Sequence, residues 1–491
     1  MAVAPTSAGR VVPTFAAVVA LLAGVEVASG VLQGFYTPIF PALAEHLRIS
    51  EGDLNWFEAA QLTVSALCIP LLSRLADLWG HKRVMVLATA ITALASWATA
   101  VAPGFWTFLG AWALQGAYIV WLPIEVAIVY RITADTGEQG RLTRKAAAIL
   151  VGVLETSVIV AALSSGALVD RLDMNVMLAI PAAVTTLCLV LMLRLLPDLP
   201  PTTTGRRLDA PGLALVTTGL VLLLAGLMLV RLDGPGAVRP WLLVVLGLVV
   251  MVGLVRHSAR TADPLVDVRL LATSAQWPIQ ITAFLFGFSV LGAQIPLSTF
   301  AQADPDVTGY GLGAGASFVS ILVGVYVLTM AVGAFTLPLW SRLLGARNAL
   351  VLAAALVALG YALWIPLHDS TVQGLVNMGV AGVGSGMLIA ALPAAAAAAA
   401  PADRTGFATG MTNATKAVGG AIASSIFAIA LASTGSLGDP EAGHAPLSGY
   451  LTVWSVCAVA ALAAACLLLL APKDVFEGVD ETGPVGAVPV P

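Results

Sequence analysis

Residues 73–83 read SRLADLWGHKR, a short cluster of charges around one glycine, between two long apolar runs. One acid, Asp77, precedes Gly80, and three potentially cationic residues follow the glycine. The segment is too short to be a domain. In a chain this apolar, it is predicted to be a tight turn between two membrane helices.

The composition predicts a protein whose solvent is lipid. The chain has 491 residues, of which 59% are hydrophobic and only 10% are charged, and its mean hydropathy is +0.95. Too few polar residues remain to cover a surface in water. The net charge is −4 and there is no basic patch, so nucleic acid is not expected as a partner.

Metal and nucleotide chemistry are not indicated. The four cysteines lie inside apolar runs and lack C-x-x-C spacing, so they are predicted to be small buried residues. The sequence shows no His/Cys cluster and no phosphate-binding glycine loop. We therefore expect no metal, no cofactor and no use of ATP.

Apolar runs long enough to cross a bilayer recur along the chain, since a spanning helix needs ~20 such residues. Lipid offers the backbone no hydrogen bonds, so each run is predicted to be a helix, in an all-α bundle of fourteen transmembrane helices. The runs lie at about 12–41, 54–75, 82–102, 105–131, 145–169, 174–196, 210–231, 238–257, 276–301, 313–341, 348–366, 372–399, 405–433 and 448–471.

The distribution of Lys and Arg predicts the orientation. Eighteen of the 23 fall on the side of the N-terminus and four on the other side, while Lys416 lies within a helix. The positive-inside rule then places both termini in the cytoplasm of a multi-pass protein of the cell inner membrane. The first apolar run is interpreted as a retained helix and not as a signal peptide.

The charged loop has a weak internal repeat. Residues 338–347 read PLWSRLLGAR, in which Gly345 corresponds to Gly80 and Arg347 to Lys82. Duplicated halves are typical of secondary transporters. The predicted domains are a six-helix bundle at 1–200, an inserted two-helix linker and cytoplasmic loop at 201–272, a second six-helix bundle at 273–472, and a disordered cytoplasmic tail at 473–491.

The charged loop resembles the signature loop of the major facilitator superfamily, G-x-L-a-D-r-x-G-r-k, matching it at Leu75, Asp77, Gly80 and Lys82. Residues 262–270, ADPLVDVRL, resemble a cytoplasmic stretch of the fourteen-helix drug:proton antiporter group of that superfamily. The resemblance implies export of amphipathic drugs or metabolites by proton antiport, with alternating access around a midplane site. It also implies that Asp77, Gly80, Lys82 and Arg83 take part in gating.

Two departures from the group's pattern leave proton coupling open. Trp112 stands where the fourth-helix motif has an arginine associated with coupling, and the run from Gly152 to Gly166 lacks the Gly-Pro pair of the antiporter motif. A proton-independent or proton-symport metabolite transporter, acting as importer or facilitator, is therefore a second hypothesis. A membrane sensor or lipid-handling scaffold is a third, although such a protein has no need of charges at the midplane.

Five ionisable residues fall within predicted helices, where each is expensive, at ~2.5–3.5 kcal/mol for the costliest types, and is usually functional. They are Glu26, Glu58, Glu125, Glu155 and Lys416. Glu26 and Glu155 lie near mid-depth, so we predict that one of them carries the coupled proton, Glu26 first. Some multidrug members of the superfamily carry a comparable first-helix glutamate.

Polar and aromatic residues on the helices are predicted to line a substrate cavity, because apolar pockets with a few polar anchors suit amphipathic ligands. The protein is predicted to be a monomer, and its predicted partners are the small-molecule substrate, protons and the lipid bilayer. The predicted substrate-binding residues are Gln33, Tyr36, Gln61, Trp112, Gln115, Tyr118, Glu125, Gln294, Tyr326, Asn377, Asn413 and Lys416.

Overall fold

The computed structural model describes residues 15–197, 208–401, 404–432 and 444–470. Within those ranges the chain is helical and contains no strand. Fourteen long helical segments follow one another. They are α1 (Phe15–Leu47), α2 (Glu51–Trp79), α3 (His81–Ala100), α4 (Phe105–Ile132), α5 (Gln139–Leu168), α6 (Met174–Leu195), α7 (Ala210–Asp233), α8 (Val238–Arg260), α9 (Trp277–Gln302), α10 (Ala316–Leu344), α11 (Ala346–Leu363), α12 (Thr371–Ala398), α13 (Thr405–Ala430) and α14 (Leu447–Leu470).

The all-helical membrane fold predicted from the sequence is confirmed. Thirteen of the described helices are long and apolar enough to cross a membrane. The fourteenth, α13, has 26 residues but is rich in Gly, Thr and Ser and contains Lys416. It packs between α2 and α9, so its polar residues are shielded by protein. The largest differences in bounds are six residues each. The segment α1 ends at Leu47 rather than near 41, and α5 begins at Gln139 rather than near 145, because its polar first turns are also helical.

Several helices are broken near the middle or at one end by short 3₁₀ segments. These are Thr37–Ile39 in α1, Glu51–Leu54 at the start of α2, Gly116–Val120 in α4 and Leu291–Ala293 in α9. Tighter turns of this kind often mark functional irregularities in a helix. In α4, the 3₁₀ segment separates the aromatic part of the helix from the part that carries Glu125.

Two faces of the bundle can be named by their loops. The Arg48 face is the end at which α1 is joined to α2, and the Gly80 face is the opposite end, at which α2 is joined to α3. The positive-inside count predicts that the Gly80 face is cytoplasmic.

The buried apolar residues form two main clusters. One lies mostly among α1 to α6 and the other among α9 to α14. Near the Arg48 face the two groups of helices are joined by hydrogen bonds. The Ser298 hydroxyl donates to the Thr37 carbonyl at 2.5 Å, and the Ser320 hydroxyl donates to the Ala162 carbonyl at 2.7 Å.

The helices α7 and α8 pack on each other, and α7 also lies against α2 and α13. The hairpin therefore covers the seam between the two groups of helices. Arg231 of α7 forms an ion pair with Asp53 of α2 at 3.5 Å, and the Asp53 side chain is fully buried. The predicted domain boundaries stay predictions, and residues 1–14, 198–207 and the tail from 471 lie outside the described residues.

Very close helix contacts position the residues of the seam. A Cβ atom added at Gly287 of α9 would lie 1.9 Å from the carbonyl oxygen of Lys416, and one at Gly419 would lie 2.2 Å from that of Phe284. Only glycine fits at such a distance, and small residues allow membrane helices to approach closely. This contact fixes the backbone of α13 at the position from which Lys416 projects.

Candidate functional site

Two acids face each other inside the first group of helices. Glu26 of α1 and Glu125 of α4 are both fully buried, and their carboxyl groups interact with each other. The Ser29 hydroxyl lies near Glu26, yet none of the four carboxyl oxygens has a donor at hydrogen-bonding geometry among the described residues. Buried polar groups are normally hydrogen-bonded, so a pair without donors needs an explanation.

A third acid faces the opposite group of helices. Glu155 of α5 interacts electrostatically with Lys416 of α13 and with Glu26. Among the described residues, Lys416 forms no direct ion pair. Glu155 and Lys416 therefore interact electrostatically at a distance longer than that of a salt bridge. The structure thereby brings together Glu26, Glu125, Glu155 and Lys416, which the sequence predicted as ionisable residues of the membrane interior.

Lys416 borders a small recess with a free volume of about 10 Å³, roughly the space of one water molecule. The recess lies among α9, α12 and α13 and is mainly apolar, with polar groups at one end. In the state described, the recess is too small for a drug-sized molecule. The lining residues are Ala283, Phe286, Leu388, Ile389, Leu392, Pro393, Thr412, Asn413 and Lys416.

Tyr118 connects the acid pair to a further carboxyl group. It lies on the 3₁₀ segment of α4 and interacts electrostatically with both Glu58 and Glu26. Its ring packs edge-on against Trp121 at 5.9 Å. On the other side of the seam, Tyr326 lies near Ser385 and interacts electrostatically with Glu155. Both tyrosines therefore lie beside the acids, and their place in a substrate cavity stays a prediction.

Another set of predicted binding residues lies in a packed aromatic core. Trp112 is buried against Tyr36, with ring centroids 4.4 Å apart, and against Phe108 at 5.5 Å. Gln115 donates hydrogen bonds to the Tyr36 hydroxyl at 3.1 Å and to the Ser96 hydroxyl at 3.0 Å. These side chains pack against and hydrogen-bond one another, and the structure does not bring them to the pair of Glu26 and Glu125.

The remaining predicted binding residues are dispersed. Gln33 is exposed and donates to the Ser29 hydroxyl at 3.1 Å, while Gln294 is exposed and accepts from the Thr37 hydroxyl at 3.3 Å. Asn377 is buried and donates to the Leu367 carbonyl at 2.8 Å, close to the Arg48 face. Gln61 is buried on α2, where its carbonyl lies against Gly116 of α4.

The predicted gating residues lie at the Gly80 face. Gly80 has a positive φ of 97°, so the turn between α2 and α3 requires glycine. Lys82 donates to the Leu196 carbonyl at the end of α6 at 2.5 Å, and Arg83 is exposed. Asp77 is half-buried in the last turns of α2.

Comparison with known proteins places this architecture in a family. The sequence model of the Major Facilitator Superfamily matches residues 22–302 and again 279–488. The chain belongs to the major facilitator superfamily. The first match runs from α1 through the end of α9, and the second begins within α9.

Curated relatives of this superfamily member include antibiotic resistance and export proteins. The puromycin resistance protein pur8 of Streptomyces alboniger is 28% identical over 91% of this chain and 90% of its own length. The cephamycin export protein CmcT of Amycolatopsis lactamdurans is 26% identical over 82% of each. Among solved structures, the POT family transporter PepTSo superposes with a TM-score of 0.66 at 14% identity, over 94% of this chain and 99% of that one, which shows the shared fold.

Sequence reasoning about this superfamily member missed several polar contacts. The hydroxyl of Tyr450 in α14 donates to Glu51 of α2 at 3.3 Å, which joins the two groups of helices at the Arg48 face. Asp263 and Asp267 both form ion pairs with residues outside their own segment. The segment around these aspartates stood out as a motif, but the sequence gives no signal for a partner that is distant along the chain.

Proposed function

We propose that this protein exports amphipathic small molecules across the cell membrane by proton antiport with alternating access. The proposal takes the Gly80 face and both termini as cytoplasmic, and a single chain as the working unit. It is supported by the resistance and export roles named for the relatives and by the acids in the interior of the bundle. In it, the two groups of helices rock about a site near the midplane.

The buried pair of Glu26 and Glu125 carries the proposal. A carboxylate has no proton to donate, so two facing carboxyl groups can hydrogen bond only when one of them is protonated. If both of these interacting carboxyl groups were ionised, their negative charges would also repel strongly in a medium of low dielectric. In this scheme the pair holds one proton before the substrate enters. A positively charged group of the substrate that entered between the acids would displace that proton, which is the competition that antiport requires.

Glu155 and Lys416 supply a second, conformation-dependent element. They lie on opposite groups of helices, so rocking changes their separation. When Lys416 is near, it stabilises the ionised form of Glu155, and when it withdraws, the neutral form gains. Glu155 is therefore the second candidate for the coupled proton, and Glu125 joins Glu26 as its partner.

Transport of puromycin into inside-out vesicles with an acidic lumen tests the proposal. Glu26→Gln should abolish the part of uptake that depends on the pH gradient, because a glutamine cannot exchange a proton. Glu45→Gln is the matched control, since Glu45 is exposed at the Arg48 face. A thiol-specific impermeant reagent added to intact cells should label Asp306→Cys and spare Glu138→Cys, which tests the orientation of the protein in the cell membrane.

The outcomes separate the alternatives. If Glu26→Gln and Glu155→Gln each retain full pH-gradient-driven transport, the coupling scheme is wrong. A gradient-independent flux that both variants preserve would favour the facilitator. One observation already favours that second candidate: α4 carries Trp112 at the position of the coupling arginine, and this tryptophan lies in an apolar aromatic core.

A further inference from the structure

The connection between α8 and α9 lies against both groups of helices at the Gly80 face. We call residues 261–271 the connecting strap. Asp263 of the strap forms an ion pair with Arg74 of α2, and Asp267 forms one with Arg404, directly before α13, at 2.9 Å. The strap thus has one charged contact in each group of helices.

Apolar contacts place the strap at the seam itself. Val266 and Leu271 pack in a cluster with Ile69 of α2 and with Met411 and Phe407 of α13. The strap is therefore held at the seam by apolar side chains as well as by its ion pairs, at the end where α2 and α13 approach the Gly80 face.

The strap is also fixed to the inserted hairpin. The Leu265 backbone N–H donates to the Asp209 carboxylate at 3.1 Å, and His257 of α8 bonds the same carboxylate at 2.9 Å. Arg269 donates to the Thr261 carbonyl at 2.5 Å, which closes the strap on itself. Because these bonds hold the strap near both of its ends, the strap cannot lengthen freely. A movement of one ion-pair partner is therefore passed on to the other ion pair.

We propose that the connecting strap braces the Gly80 face closed along α2 and α13, with Asp263 and Asp267 as its positioning residues. Opening at this face separates Arg74 from Arg404. The strap cannot follow both, so at least one ion pair must break before the face opens. The ADPLVDVRL motif then sets the balance between open and closed states, and the hairpin α7–α8 serves as its anchor. The inference rests on the alternating access of the proposed function.

Each ion pair can be weakened without removing other contacts. Asp267 caps residues 268–271 by accepting from the Arg269 and Leu270 backbone N–H groups, while its other oxygen meets Arg404. Asp267→Asn keeps the cap, because asparagine caps as well as aspartate, and removes the charge. Asp263→Asn likewise removes the charge that faces Arg74. Glu138→Gln is the control, since Glu138 pairs with Arg141 at the same face but within one segment.

Double electron–electron resonance between spin labels reads the opening directly. The labels go on Arg144→Cys of α5 and Asn348→Cys of α11, two exposed positions at the Gly80 face in different groups of helices, in a chain lacking the native cysteines. Asp263→Asn and Asp267→Asn should each raise the ratio of long to short distances about two- to fivefold, the range of a partly exposed ion pair. Glu138→Gln should leave the ratio unchanged.

A double-mutant cycle separates bracing from general loosening. If Arg74 acts through Asp263, the Arg74→Gln/Asp263→Asn variant should open no more than either single variant. Distance distributions that stay at the wild-type ratio in both Asp263→Asn and Asp267→Asn would overturn the brace, as would fully additive effects in the cycle. The measurement uses no substrate and no pH gradient, so its failure would leave proton-coupled export untouched, and a failed transport assay would leave the brace untouched.

Discussion

The two glycine loops of the internal repeat have similar backbone conformations but different charged side chains. Gly80 has φ 97° and ψ 141°, and Gly345 has φ 81° and ψ 151°. Each N–H bonds a carbonyl four residues earlier, at 3.0 Å to Ala76 and at 2.8 Å to Ser341. The next helix begins at the following residue in both cases. The repeat that was weak in sequence is therefore close in geometry.

The charges around the two glycines differ. In the first loop, Arg74 pairs with Asp263 of the strap and Asp77 lies half-buried. In the second loop, Arg342 takes the place of the aspartate and is exposed. The shared turn reflects the duplicated fold, in which the chain changes direction between two helices within a single residue. The acid and the ion pair to the strap belong to the first copy only, so they reflect what the first loop does against the other half of the molecule.

The largest expected effect tests the shared part of the comparison. Gly80→Ala and Gly345→Ala should both destabilise the fold by about 1–3 kcal/mol, because both backbones occupy a region that is essentially reserved for glycine. The free energy of unfolding in mixed detergent micelles measures the effect. Gly104→Ala is the control, since Gly104 is extended at φ 172° with open space around it. A loss at one loop and not at the other would show that the two turns are not equivalent.

The helices and the loop geometry could be predicted from the sequence because both follow local rules. Twenty apolar residues in lipid must form a helix, and Gly80 at the end of one forces a turn. The acid pair could not be predicted, because Glu26 and Glu125 meet only through packing of α1 against α4. Trp112 was grouped with cavity residues by its chemistry, yet neighbouring rings enclose it. Whether a polar or aromatic residue faces a cavity or a core depends on helix rotation, which apolar runs leave undetermined.

A medium effect is expected where the strap is anchored. Asp209 caps α7 by accepting from the Gly212 backbone N–H at 2.9 Å and also bonds His257 and Leu265. Asp209→Ala should lower the free energy of unfolding by about 0.5–2 kcal/mol, the usual range for a lost cap. Asp173→Ala is the matched control, because Asp173 precedes α6 without a side-chain cap bond. Equal losses in the two variants would contradict the anchoring role.

The same variant has a defined pH dependence. Burial opposes ionisation of Asp209, but the bonds from His257, Gly212 and Leu265 prevail and hold its pKa below the ordinary value of 3.8. A depressed carboxyl pKa contributes stability above the unfolded value, and that contribution is lost as the pH falls through the folded value. The difference between wild type and Asp209→Ala should therefore be full at pH 7 and shrink below about pH 3.8.

The smallest effect concerns the charge that only the first loop has. Ile69 packs against Met411, and α2 and α13 run antiparallel. Eight residues from Ile69 to Asp77 and six from Met411 to Thr405 cover similar distances at 1.5 Å per residue, which brings Asp77 level with the N-terminus of α13. An acid at a helix N-terminus contributes ~0.3–1 kcal/mol.

Asp77→Asn should therefore favour the state that is open at the Gly80 face by about two- to fivefold, slow transport by a similar factor and leave expression unchanged. Arg342→Gln, at the equivalent position of the second loop, should change neither the distance ratio of the spin labels nor the transport rate, because Arg342 is exposed. An effect of equal size in the two variants would mean that Asp77 has no role in gating that Arg342 lacks. Unchanged transport in Asp77→Asn would make Asp77 a solvated loop acid and leave the strap as the brace of the Gly80 face.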